Sequence, residues 1–171
     1  IRDNGGFSAP LYYRGFPKSC CTSVNHVVCH GIPSEKYLNE GDIVNVDVTA
    51  IINGWHGDTS RMFFAGDVSI KCKNLVAATY NSMMKAISII KNGIHLGDIG
   101  DSIQSYVEKE GFSVVRDFCG HGIGKIFHTH PNVLHYGKKG EGIKLKTGMI
   151  FTVEPMINEG LYNTKLLKDG W

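Results

Sequence analysis

The stretch "NVDVTAIINGWHGDTSRMFF", residues 45–64, decides the fold. It alternates in strand fashion on both sides of Asn53-Gly54, the pair that most strongly signals a two-residue type I′ turn. With those two residues as the loop, Ile52 faces Trp55, Thr49 faces Asp58 and Asp47 faces Ser60. Strand side chains alternate between faces, so Asp47, Thr49, Asp58 and Ser60 fall on one face. Asp47 and Asp58 are then diagonal neighbours, with backbones ~7–8 Å apart. From that spacing two carboxylates can converge on one or two cations, whereas a single-residue bulge would send them to opposite faces. Either aspartate alone also reads as an exposed residue of a turn or an edge strand. Against that stands the desolvation penalty, ~2–7 kcal/mol even for a neutral polar group buried without a partner. The hairpin leaves both readings open.

The whole chain narrows the setting. It has 171 residues, 42% hydrophobic and 20% charged, enough for one domain with a real core. A net charge of +2 and a pI of about 8.3 give no argument for nucleic acid or an anionic membrane surface. No apolar run approaches the ~20 residues of a membrane span, and no signal peptide opens the sequence. Five cysteines, at 20, 21, 29, 72 and 119, form no Cys-x-x-Cys pair. That pattern argues against a disulfide scaffold or a zinc ribbon and fits a reducing cytoplasm. Ile1 opens without a methionine and "KDGW" ends in a turn-like stretch, so further sequence is expected on both sides.

No linker or low-complexity block divides the sequence. Helical periodicity predicts one helix over 73–92, with Leu75, Val76, Thr79, Met83, Ala86, Ile87 and Ile90 on one stripe and Asn92-Gly93 as a stop. A second is expected from Asp98 as N-cap, burying Ile99, Ile103 and Tyr106 and stopping at Gly111. Strands are expected at 24–29, 42–52, 55–64, 113–117 and 149–157. Strands, then two helices, then strands make an α+β protein rather than an alternating one.

Two further stretches bear on the aspartates. In "DFCGHGIGKIFHTHP", residues 117–131, His121 lies between Gly120 and Gly122, with His128 and His130 following. Glycines around a histidine allow close backbone approach, and neutral imidazole is a common metal ligand. His130 reads as an exposed loop residue. In "GMIFTVEPMI", residues 148–157, Glu154 sits among Ile, Phe, Val and Met. Glu is almost never fully buried unless paired. Three acids and a histidine on apolar or glycine-rich elements suit a shared site for Mn, Fe, Co or Zn, all of which accept mixed oxygen and nitrogen ligands.

The motifs "GFPKSCCTSVNHVVCHGIP", "DIVNVDVTAIINGWHGDTSRMFFAGDV", "CGHGIGKIFHTHPNVLHYG", "MIFTVEPMIN" and "KDGW" cover nearly the whole chain in order. Together they closely resemble the type I, bacterial methionine aminopeptidases. The resemblance implies the pita-bread fold, two pseudo-symmetric α+β halves around a curved, mainly antiparallel sheet, with residues 1–171 as one partial peptidase domain. It implies two divalent cations (Co, Mn, Fe or Zn) held by Asp47, Asp58, His121 and Glu154, with Asp58 bridging. Family members carry a second bridging glutamate on a strand beyond the "DGW" motif and a helical region before the first motif, so both are expected outside these residues.

The resemblance also implies a reaction: removal of the initiator methionine from nascent proteins whose second residue is small. A metal-activated hydroxide attacks the scissile carbonyl. Glu154 carries the proton to the leaving amine, His128 stabilises the oxyanion and His30 holds the scissile amide. Tyr13, Phe16, Cys21, Phe118, Phe127 and Trp171 form the methionine slot. The implied partners are nascent N termini and the ribosome, for a monomeric cytoplasmic enzyme. Two alternatives are a pita-bread peptidase acting on X-Pro bonds and a non-catalytic binding module of the same fold. The "CHGIP" and "GHGIGKIFH" stretches fit the methionine enzyme better, and binding modules typically lose ligand positions that are filled here.

Overall fold

A computed structural model describes residues 1–171. The chain divides into two compact units: Ile1–Cys72 with Gly124–Phe127 and Lys165–Trp171, and Lys73–Ile123 with His128–Thr164.

The first unit is built on the hairpin. Strands β1 (Phe7–Ser8) and β2 (Cys21–Val24) both pair with β3 (Ile43–Ile52), which pairs on its other side with β4 (Trp55–Phe64). The β3–β4 register is the expected one: Ile52 faces Trp55, Thr49 faces Asp58 and Asp47 faces Ser60. Asn53 and Gly54 take φ of 52° and 79°. Both are positive, as a type I′ turn requires, and that turn's twist matches the strands it joins. The expected strand at 24–29 lies earlier, at β2. Asn25 adopts a φ of 51° and breaks the extended path. Its side chain instead donates to Asp42 Oδ1 at 2.7 Å and accepts the Ile43 N–H at 3.0 Å.

Helix α1 (Ile70–Ser88) opens with the Ser69 hydroxyl accepting the Cys72 N–H at 3.2 Å, a capping interaction. It ends four residues short of Asn92. Ile89 and Ile90 hydrogen-bond to the carbonyls of Ala86 and Ile87, three residues back, which tightens and closes the last turn. Its buried positions are Ala78, Ser82 and Ala86. Small residues at i, i+4 and i+8 let the helix pack closely, so the inward stripe is narrower than expected and Ile87 is exposed.

Most of the core belongs to the second unit. Helix α2 (Leu96–Lys109) buries Leu96, Ile99, Ile103 and Val107 against Ala86, Val114, Val133 and Leu145. Val107 takes the deep position expected for Tyr106, which packs at the margin. Asp98 is not the N-cap. Leu96 is already helical, and the Asp98 carboxylate reaches back to the His95 N–H at 2.8 Å, closing a capping box from the third helical position. The strands here are short: β5 (Ser113–Val114) pairs with β8 (Ile157–Asn158), and β6 (Gly120–Gly122) with β7 (Thr129–Val133).

The expected strand at 149–157 survives only as a Gly122–Phe151 bridge and β8. The Glu154 N–H goes to a side chain, His135 Nε2 at 3.1 Å, and Pro155 has no N–H to give. Two consecutive donors are thereby lost to any ladder. No helix is long and apolar enough to cross a membrane.

Candidate functional site

In the first unit the hairpin fixes two carboxylates on one face, both half-buried. Thr49, 2% exposed, directs its hydroxyl to Asp58 Oδ1 at 3.0 Å. Cys21 stands opposite Asp47 on β2. Burial first, then the charges of Asp47, Cys20 and Asp58, pushes the Cys21 thiol up to about 12. It therefore stays protonated, a poor ligand beside good oxygen donors, because only the thiolate binds metal well.

The same unit gathers most of the predicted slot. Tyr13 and Phe127 lie with ring centroids 4.9 Å apart. Phe16 meets Trp171 edge-on at 5.0 Å, and His30 meets the same indole at 6.0 Å. His30 holds a positive φ of 56°, uncommon outside glycine, which marks a strained position. Burial lowers its pKa, so it is a neutral hydrogen-bonding group near neutral pH. Gly124–Phe127 joins this unit because both the backbone N–H and ring Nδ1 of His56 meet the Gly124 carbonyl, at 2.8 and 2.9 Å.

In the second unit, His121 is buried on β6 between two glycines. An added Cβ would sit 2.4 Å from the Thr152 carbonyl oxygen at Gly120 and 2.2 Å from that of His130 at Gly122. The glycines thus let neighbouring backbone close around the imidazole. His121 Nδ1 lies 3.1 Å from the Gly122 carbonyl, which fixes this nitrogen as the donor. When the ring is neutral, Nε2 is then the lone-pair nitrogen, and it stands 3.5 Å from Glu154 Oε1. Two acceptors facing one another at that range call for a cation, a proton or a metal, between them. A ligating histidine commonly donates its other ring N–H to a carbonyl in this way.

Thr152 ties the pair together. Its hydroxyl accepts the His121 N–H at 2.9 Å and donates to Glu154 Oε1 at 2.5 Å. The Glu154 side chain keeps 37% exposure, so its carboxylate remains reachable. His128 is exposed, with its ring 4.1 Å from that of His121. His130 is exposed as expected, though on β7 rather than in a loop, and Phe118 is half-buried. Behind Glu154 lies His135, 0% exposed. Desolvation drops its pKa to about 4, so the ring is neutral. Because Nε2 accepts the Glu154 N–H, Nδ1 carries the proton, and it has no hydrogen-bond partner. Such a buried orphan costs ~1–3 kcal/mol.

Sequence reasoning passed over His135 and Thr152. The signal for Thr152 was its place two residues before Glu154. His135 gave none, because its contact to Glu154 spans 19 residues.

The sequence matches metallopeptidase family M24 over residues 1–171. It is 60% identical to methionine aminopeptidase from Rickettsia prowazekii, over all of this chain and 66% of that protein. The chain thus spans about two thirds of that relative's length. The crystal structure of the Rickettsia enzyme superposes with a TM-score of 0.98, covering 100% of this chain and 69% of that one. Methionine aminopeptidase from Thermotoga maritima gives 0.97 at 41% identity, covering 99% and 69%. A prolidase from Pyrococcus horikoshii shares the fold alone, at 24% identity and a TM-score of 0.69 over 80% of this chain and 39% of its own.

Proposed function

The chain belongs to metallopeptidase family M24, has its pita-bread fold and takes a divalent metal cofactor, and on that premise we propose that it removes the initiator methionine from nascent proteins whose second residue is small. The metal ligands are Asp47, Asp58, His121 and Glu154. The observation that carries this reading is the pairing of His121 Nε2 with Glu154 Oε1 at 3.5 Å, with Nδ1 committed to a carbonyl. Three carboxylates and an imidazole suit Mn, Fe, Co or Zn, and the number of ions, two, is taken from the resemblance to the type I methionine aminopeptidases. The neighbouring thiol of Cys21 is held protonated, which leaves an oxygen and nitrogen donor set.

Bound metal supplies Lewis acidity and a water of lowered pKa. The protein's own groups do the remainder. Glu154, anchored by Thr152 yet exposed, takes a proton and returns it to the leaving amine. His128 donates to the oxygen on which charge develops, the kind of preorganised contact that commonly dominates rate. His30, neutral, hydrogen-bonds the scissile amide. Asp47 stands nearest the substrate's free α-amine, which confines cleavage to N termini. Tyr13, Phe16, Cys21, Phe118, Phe127 and Trp171 line the methionine slot, where a thioether gains ~0.3–1.5 kcal/mol per aromatic contact. Such a substrate fits a cytoplasmic enzyme working near the ribosome, and we take it to act as a monomer.

The experiment is methionine release from Met-Gly peptides, beside X-Pro peptides, by the metal-loaded whole protein. Preference for Met-Gly that disappears in Glu154→Gln supports the reading. Preference for X-Pro peptides, or no hydrolysis of either, overturns it.

A further inference from the structure

His135 is the largest fully buried polar side chain of the second unit, yet it lies outside every role above. It sits on the segment after β7, 19 residues before Glu154, and reaches the backbone of that residue rather than its carboxylate. Three features make this contact specific. The bond runs from the Glu154 N–H to ring Nε2 at 3.1 Å, so only one tautomer serves. That tautomer leaves Nδ1–H buried with no partner, so the arrangement is kept at the expense of a satisfied donor. Finally, Pro155 follows immediately, so the residue after Glu154 has no N–H to offer a ladder.

The backbone on either side of Glu154 is also held at Thr152 and at Met156. Thr152 N–H donates to the His121 carbonyl at 2.8 Å, and the Met156 carbonyl accepts the Val115 N–H at 3.0 Å. Glu154 lies midway between those two anchors. Its carboxylate is therefore steered from both ends, by the Thr152 hydroxyl at Oε1 and by His135 at the backbone.

We propose that His135 is a positioning residue for Glu154, with the Nδ1-protonated imidazole acting as a fixed acceptor that aims the carboxylate toward His121 before a metal arrives. This rests on the reading of Glu154 as a metal ligand. Partners of this kind typically change metal affinity or activity by ~10–100-fold when removed. The effect should fall on metal binding and turnover, not on substrate affinity, because His135 acts through the Glu154 backbone.

Two substitutions separate positioning from packing. In His135→Gln the amide oxygen reaches the place of Nε2 and keeps the acceptor. In His135→Asn the amide reaches only the place of Nδ1 and withdraws it. Titration of the whole protein with Mn(II) should show affinity weakened ~10–100-fold in His135→Asn and restored to within a few-fold in His135→Gln. For a Met-Gly peptide, kcat should fall with KM nearly unchanged. Equal, wild-type affinity in both variants overturns the proposal. Nitrogen-15 NMR of the unsubstituted protein needs no variant to fold: it should show His135 Nε2 unprotonated and coupled through the hydrogen bond to the Glu154 amide. A protonated Nε2 overturns the proposal outright. Glu154→Gln isolates the underlying reading. If it leaves Mn(II) affinity unchanged, the ligand assignment has failed; if it weakens binding while His135→Asn does not, only the positioning role has failed.

Discussion

Thr49 and Asp58 are direct partners across the β3–β4 ladder, and the Thr49 hydroxyl donates to Asp58 Oδ1 at 3.0 Å. One carboxylate oxygen is thereby held in place. Thr49→Val keeps the β-branched shape at a buried strand position and removes only the donor. Mn(II) affinity should drop ~10–100-fold with little change in melting temperature. Calorimetric titration beside a thermal melt checks both. Unchanged affinity would remove Thr49 from the site.

Gly100 offers a test of packing with an inverted sign. Glycine-to-alanine inside a helix normally gains ~0.8–1.0 kcal/mol. Here an added Cβ would lie 2.3 Å from the Tyr136 carbonyl oxygen, and backbone cannot step aside. Gly100→Ala should therefore destabilise the protein by ~1–3 kcal/mol, the range for overpacking. Urea denaturation with an unchanged slope and a lower midpoint is the expected outcome; a raised midpoint would show that α2 does not approach that carbonyl.

The hairpin was legible in the sequence because its register is set locally. Asn53-Gly54 fixes the turn, and period-two alternation then assigns each face. The resemblance supplied the site residues, and the structure shows how Asp47 and Asp58 share a face and how His121 and Glu154 meet. What escaped was governed by contacts distant in sequence. β5 pairs with β8, far along the chain, and the strand expected at 149–157 loses a donor to His135, 19 residues away. Neither is encoded in local periodicity. Asp98 was misplaced for a smaller reason: an aspartate at the N-cap or at the third helical position looks alike in sequence, and burial of Leu96 decides between them.

That same Asp98 gives a pH prediction. Its carboxyl is held below the ordinary 3.8 by the backbone N–H of His95, then that of Gly140. A depressed folded-state pKa means stability that is present above the unfolded value and lost as pH falls through the folded one. Asp98→Asn should therefore melt below the wild type at pH 7, and the gap should close as pH drops beneath 3.8. Melting temperatures across that range check it; a gap that stays constant would mean the carboxylate charge contributes nothing to the cap.

His128 is assigned to the reacting oxygen rather than to the metal. In the whole protein, His128→Ala should lower kcat by ~10²–10³, the loss typical of one oxyanion donor. Metal content should stay the same. Steady-state kinetics with metal analysis decide the matter, and a variant that sheds metal would make His128 a ligand.

The hairpin carboxylates and the His121–Glu154 pair are proposed to hold the same metal centre. Anomalous diffraction at the zinc edge, from zinc-loaded crystals of the whole protein, tests it most directly. Peaks bonded to Asp58 and His121 Nε2 together are expected, at ~2.0–2.2 Å from the nearest oxygen or nitrogen, with Glu154 completing the set. Zinc on the hairpin alone, with His121 and Glu154 outside its coordination sphere, would contradict it.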